Sequence, residues 1–235
     1  MLGIGLMSKP IKEPFINRYS ILFNGSTQYM NVDTVAEIID KDKGTYAAWV
    51  KFNSTSTTGI ILKSSVNTSN HITIAYGGSA NEMIFIYKAG GSAKKVEHSV
   101  TVEGTGNWVH LAMTWDTSRD ELKAYINGSQ VGGTVGSLGE FSGTIDTVTS
   151  GKNSLANDTY FIGYIDEVSI FNDVIDFNIL YNNGVPHDLN MTTFKKNLLT
   201  YLRFTEGSGT SVGDSSGNSI EGTLFNSPTW STNTP

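Results

Sequence analysis

The sequence predicts an all-β protein: a two-sheet antiparallel sandwich, or jelly roll, with one or two short helices. Three observations carry this. Gly, Ser, Thr and Asn together fill 96 of the 235 positions, a composition of short strands joined by many turns rather than of helices. About ten segments of roughly three to twelve residues show strand alternation or short apolar runs bounded by turn residues. Strong helix signals are confined to one late segment, and no fixed internal period suggests a propeller or solenoid.

The elements follow in order. Residues 1–14 carry Gly3, Gly5, Pro10 and Pro14 without periodicity. They are expected to form an arm outside the core, and residues 15–235 a single domain. Ile21–Phe23 and Tyr29–Val32 flank Asn24-Gly25-Ser26, a hairpin-type turn. Thr34 and Glu37 have the spacing of a capping box, which predicts a helical turn over Val35–Asp40. Tyr46–Phe52, Ile60–Lys63, His71–Tyr76 and Met83–Tyr87 are strands. The Ser/Thr-rich segment Asn53–Thr58 is a solvated loop. Lys94 and Lys95 flank a strand edge, where charge discourages sheet-to-sheet association. In Trp108–Asp116, Val109, Leu111, Met113 and Trp115 share one face, and Trp108, His110, Ala112 and Thr114 the other. Glu121–Ile126 runs into a second hairpin signal, Asn127-Gly128. Tyr160–Phe171 is a long strand or a bent pair. Asp176–Asn183 is a helix capped by Asp176 and ended by Gly184. Leu198–Phe204 and Ile220–Phe225 are the last strands.

Bulk properties exclude several classes. The net charge of −6 argues against nucleic acid, which requires a basic face. There is no Cys, hence no disulfide, thiolate nucleophile or thiolate metal site. Apolar runs of about five residues fall far short of the roughly 20 needed to span a bilayer, so no membrane role is expected. The first residues lack the charged and apolar regions of a secretory signal. Six matches to the N-glycosylation triplet are attributed to the abundance of Asn, Ser and Thr.

Six segments together resemble the concanavalin A-like, laminin-G-like jelly-roll superfamily: Phe23–Tyr29, Tyr46–Val50, Trp108–Asp116, Tyr125–Gly128, Gly163–Phe171 and Ile179–Gly184. They come in the family's order. The segment Leu199–Phe204, with Asp214–Asn218 and Gly222–Leu224, is similar to the element that commonly opens such domains, yet here it follows the others. This implies a permuted arrangement, with the C-terminal strands closing the sandwich beside Ile21–Phe23. The short Gly-rich opening ahead of such a module also resembles the layout of marine bacteriophage virion proteins.

Some members of the superfamily are glycoside hydrolases, which need two carboxylates on one face. Asp166-Glu167 is a pair inside a core strand, but neighbours on a regular strand point to opposite faces. Asp40 with Asp42, and Asp120 with Glu121, read as loop and turn residues. No catalytic residue is therefore expected. His71, His98, His110 and His187 are scattered, without zinc spacing. No cofactor is required. Calcium, which related lectin-like domains often bind, could be held by Asp214 and Asn218 or by Asp166; the competing reading makes Asp214 and Asn218 an Asx-type turn. Tyr76, Tyr87 and Trp230 are candidate sugar-stacking rings, with Trp230 expected to be partly exposed.

The leading expectation is a non-enzymatic structural and adhesion module on a bacteriophage virion surface, as a capsid decoration or a tail or fibre component. It would bind other virion proteins through residues 1–14 and sibling subunits as a homo-oligomer. The alternative is an extracellular, carbohydrate-binding lectin, calcium-dependent or not, with a host-surface glycan as partner.

Overall fold

The computed structural model describes residues 15–54, 58–77, 81–99, 106–155 and 159–235. The arm expected at residues 1–14 and the centre of the Asn53–Thr58 loop lie outside these residues. Sixteen strands are described. In chain order they are β1 (Ser20–Asn24), β2 (Tyr29–Asn31), β3 (Lys43–Phe52), β4 (Gly59–Asn67), β5 (Asn70–Gly77), β6 (Glu82–Ala89), β7 (Ser92–Ser99) and β8 (Trp108–Asp116). There follow β9 (Glu121–Ile126), β10 (Ser129–Val135), β11 (Thr147–Ser150), β12 (Ile162–Phe171), β13 (Leu198–Leu202), β14 (Ser211–Val212), β15 (Gly222–Phe225) and β16 (Thr229–Ser231). They form two antiparallel sheets. The first runs β10-β9-β8-β3-β12-β1-β16, with β13 also paired to β12; the second runs β14-β15-β2-β11-β4-β5-β6-β7. The main core lies between them, with Phe23, Tyr46, Phe52, Tyr87, Phe85 and Trp115 fully buried. No helix among the described residues is long and apolar enough to cross a membrane.

Several turns behave as their residues dictate. Asn127 and Gly128 both take positive φ and join β9 to β10, with Ile126 opposite Ser129. The Asn24-Gly25 turn does something else. β1 pairs with β12 and β16, whereas β2 pairs with β11 and β15. The turn therefore carries the chain from one sheet to the other and is not a hairpin between paired strands. Its bend is held by Asn24 Oδ1, which accepts from the backbone N–H groups of Ser26, Thr27 and Gln28.

The expected capping box is also absent. A 3-10 turn spans Asp33–Ile38 without a side-chain cap. Thr34 Oγ1 donates instead to the Glu221 carbonyl, and Asp33 Oδ1 accepts from the Val148 N–H, so tertiary partners override the local motif. The late helix is α1, Phe177–Tyr181. Asp176 caps it by accepting from the Asn178 N–H, and Asn182 ends it in the left-handed region; a 3-10 turn then reaches Gly184. Lys94 and Lys95 lie on β7, at the edge of the second sheet.

The two sheets have unlike outer surfaces. On the first, a second apolar cluster covers the strands, with Ile175, Leu180, Leu189 and Leu198 packed on Ala47, Ala112 and Tyr201. The second set of residues on β8 is therefore not solvated: His110, Ala112 and Thr114 are all buried. At the chain's end, β16 lies beside β1, with Trp230 opposite Ile21. β15 lies beside β2, with Leu224 opposite Met30.

Candidate functional site

The second cluster covers the middle of the first sheet, while Lys51, Trp108 and Tyr164 farther along it are half-buried; the outer face of the second sheet carries the longer row of polar side chains. Alternation sorts its residues. Met30, Leu62, Ile72, Ile74, Phe85 and Val148 point into the core, so their neighbours along the strands point out. Register then builds one row across seven strands. Thr223 on β15 faces Asn31 on β2, which faces Thr149 on β11. Thr149 faces Lys63 on β4, then Thr73 on β5, Ile86 on β6 and Lys95 on β7. The next row holds Thr147, Ser65, His71 and Lys88.

An aromatic platform closes one end of this face. Tyr29 and Phe225 stack at 4.7 Å with their planes 2° apart, and Phe225 is 40% exposed. Lys152 sits 4.8 Å above the Tyr29 ring and 5.7 Å from that of Tyr160, an arrangement stabilised by the ring quadrupoles. A cationic group occupies the middle. Lys63 is buried, and its Nζ donates to Asn153 Oδ1 at 2.8 Å. Burial, reinforced by the charge of Lys88, pulls its pKa down to about 8. His71 Nδ1 lies 3.0 Å from Thr73 Oγ1; burial, with Lys63 and Lys88 adding to it, lowers its pKa to about 4.

The residues selected from sequence fall elsewhere. Tyr76 and Tyr87 are buried core rings whose hydroxyls donate to Asn81 Oδ1 and to the Lys41 carbonyl. Trp230 is half-buried, packed edge-on to Tyr19 and Phe204, and its Nε1 donates to the Gly209 carbonyl. Tyr76 and Tyr87 offer no free ring face for a sugar because both are buried in the core, whereas Trp230 is partly exposed, as expected. Asp214 accepts from the backbone N–H groups of Tyr201, Ser216, Asn218 and Ile220 and from the Ser216 hydroxyl. Asn218 Nδ2 donates to the Leu198 and Leu199 carbonyls. These contacts make the loop a hydrogen-bonded Asx-type turn, and calcium would have to displace several donors to enter it. Among the described residues, no group of three or more His, Asp or Glu side chains is placed to hold a metal ion.

Asp166 and Glu167 depart from the expected alternation. Between Asp166 and Ser169 the register of β12 against β3 shifts, and Glu167 takes φ 50°: a β-bulge. Ile165 and Val168 both face the core, while Asp166 and Glu167 both turn to the covered outer side. Asp166 accepts from Asn17 Nδ2 at 2.9 Å and from the Glu167 N–H at 2.8 Å. Glu167 contacts the Tyr201 hydroxyl and lies 3.7 Å from Arg203 Nε. Burial raises the pKa of both carboxyls, that of Glu167 to about 7, and the charge of Glu167 further raises Asp166. The Tyr201 hydroxyl also contacts the His187 carbonyl at 2.9 Å. It has one proton for two acceptors, so both contacts are filled when Glu167 is itself protonated. The cavity here, bounded by Glu167, His110, His187 and Trp49, has a volume of only about 10 Å³, room for one water.

A larger depression of about 830 Å³ lies between Ile38, Lys195, Lys196, Leu199 and Ile220. It has no aromatic wall, and the Ser216 and Asn218 groups that line it are already committed to the Asp214 turn.

Comparison with known proteins fits this architecture. The profile of the laminin-G-type family within the concanavalin A-like lectin/glucanase superfamily matches residues 24–176. The chain belongs to that superfamily. No curated protein matches it by sequence. Among solved structures, a candidate carbohydrate-binding protein from Bacteroides ovatus superposes with a TM-score of 0.67 at 17% identity, over 94% of this chain. The chain spans 61% of that protein's length. The heptameric SAP-like pentraxin of Limulus polyphemus gives 0.56 at 15% identity, over 81% of this chain and 94% of its own. The CBM40 of the Ruminococcus gnavus IT-sialidase, solved bound to α2,3-sialyllactose, gives 0.56 at 16% identity, over 72% of this chain and 98% of its own. At such identities the likeness is one of fold.

Proposed function

We propose that this superfamily member is a non-catalytic glycan-binding module whose binding surface is the outer face of the second sheet. The observation that carries the proposal is the Tyr29–Phe225 ring pair, with Phe225 exposed, beside a row of Thr, Asn and Lys side chains that is buried at Thr149, Lys63 and Thr73 and open at Asn31 and Thr223. An apolar ring face beside convergent hydrogen-bonding groups suits a sugar, which has one apolar face and a rim of hydroxyls. The carbohydrate-binding neighbours support this reading. The non-catalytic part is supported by the small cavity at Glu167, whose volume of about 10 Å³ leaves no room for a saccharide.

Binding is proposed not to require calcium, because the Asp214 loop is closed by its own hydrogen bonds. A module of this kind could serve on a phage surface, anchored through residues 1–14, or on its own outside a cell. The carbohydrate reading has the firmer support. It is tested on a glycan array with the wild type and Phe225→Ala, each with calcium and with chelator. Binding that survives chelation and weakens in the variant is the expected result. Retention of full binding by Phe225→Ala would move the site away from this face.

A further inference from the structure

We propose that Lys63, His71 and Lys88 form a seat for an anionic substituent of the bound glycan, a carboxylate or a sulfate ester. The inference rests on the glycan reading of this face and specifies the chemical class of the ligand.

Placement comes first. His71 lies directly opposite Lys88 on β6, and Ser65 opposite His71 on β4. Lys63 is two residues before Ser65, on the same face, diagonal to His71. Diagonal neighbours on paired strands lie about 7–8 Å apart, within reach of long side chains. The three groups therefore converge over the Thr73 and Ser65 hydroxyls.

Charge comes second. A buried cation is ordinarily paired, because taking an ammonium out of water costs several kcal/mol. Lys63 is 5% exposed, yet among the described residues its ammonium has a neutral partner, the Asn153 amide oxygen. That leaves donors on a group that carries three. Its charged neighbour is Lys88, which opposes it, while His71 beside it stays neutral near pH 7. Among the described residues, the other charges near this face have partners of their own. Lys95 and Glu97 on β7 pair with each other at 3.6 Å. Asp33, beside β2, takes the Asn31 amide and the Val148 N–H. Asp146, before β11, accepts from Thr147 Oγ1, and Lys152 lies over Tyr29. In a protein of net charge −6, this is a concentration of positive charge for which the described residues supply no carboxylate partner. An external anion supplies it.

The roof comes third. Asn153 and Ser154 lean onto Lys63 and Ser65, so the cluster lies beneath a polar loop, in the lowered dielectric where a charge-assisted hydrogen bond counts for most. The seat and the Tyr29–Phe225 platform share one face. A glycan stacked on the rings would extend its acidic group toward Lys63.

The test follows the imidazole of His71 by NMR as pH is varied, in chloride, sulfate and glucuronate at matched ionic strength, alongside the glycan array. The expected result is a saturable response of His71 to sulfate or glucuronate, with its pKa rising from about 4 by about one unit, a tenfold gain for the protonated ring. Sulfate and glucuronate act as separate arms, and the stronger response identifies the substituent. Lys88→Gln, on a half-exposed residue, is expected to weaken the response severalfold; it serves in place of Lys63→Gln, whose burial could disturb folding. Equal responses in all three salts would overturn the seat. Array binding confined to neutral glycans with an unresponsive His71 would also overturn it, while leaving the glycan reading intact. A silent array with a saturable His71 response would keep the seat and remove the glycan reading.

Discussion

Glu167→Gln should make the protein more stable in mild alkali and leave it nearly unchanged in mild acid. The carboxyl is buried beside Asp166, and its pKa rises from an ordinary 4.5 to about 7. A carboxyl with a raised folded-state pKa binds more protons folded than unfolded. Its stabilising effect is therefore complete below the unfolded pKa and is lost as pH rises through the folded one. The window is pH 4.5 to 7. A shift of about 2.5 units at 1.36 kcal/mol per unit is worth roughly 3 kcal/mol, the amount by which the wild type should weaken across it. The glutamine isostere cannot ionise. It also removes the charge that raises Asp166, leaving that carboxylate to face Arg203 alone. Urea unfolding of both proteins at pH 5 and pH 8 measures the effect. The wild type should lose about 2–3 kcal/mol between the two pH values, and the variant little of it. If the variant were instead destabilised more at pH 8 than at pH 5, Glu167 would be an ionised partner of Arg203 and its raised pKa would be wrong.

Other expectations follow from the same contacts. Asp214→Ala should cost about 2–3 kcal/mol, because several N–H groups around one turn lose their acceptor. Calcium or chelator should leave the melting temperature of the wild type unchanged, and a rise of several degrees on adding calcium would refute the closed-turn description. Gly44→Ala should destabilise by about 1–3 kcal/mol or more, since its Cβ would lie 2.3 Å from the Trp115 ring; thermal unfolding reads this directly. His110 is buried, and burial lowers its pKa to about 3. Its unfolded form therefore takes up a proton first as pH falls below about 6.5, and stability should decline from there toward pH 3. His110→Gln should flatten that decline, and an unchanged acid limb would show that other groups cause it.

The fold was legible because alternation and turn chemistry are local. Val109, Leu111, Met113 and Trp115 had to share a face, and Asn127-Gly128 had to turn. The binding face was legible only in part. Leu224 pairs with Met30 in the core, which puts Phe225 outside, and the same alternation could have identified Tyr29 and Lys63 as outward. Nearness to a strand end points instead to Tyr76 and Tyr87, whose rings lie in the core. The bulge at Glu167 had no such signal: Glu rarely takes positive φ, and it is held there by Tyr201 and Arg203 from distant segments. The Asn24-Gly25 turn misled for a related reason. Local sequence specifies how sharply a chain turns, while the sheet it enters afterwards depends on partners far along the chain.

That dependence bears on how the protein is made. Ser20 Oγ donates to the carbonyl of Asn233, 213 positions away, and Trp230 lies opposite Ile21. On the ribosome, β1 emerges early and must wait for nearly the whole chain before its β16 flank is filled. Until then one edge of β1 is bare, a template for any strand that meets it. Such long-range closure slows folding and lengthens the exposure of unfinished edges to aggregation. Removing the last few residues would make that transient edge permanent, so C-terminal shortening should reduce soluble yield far more than the small area of β16 suggests.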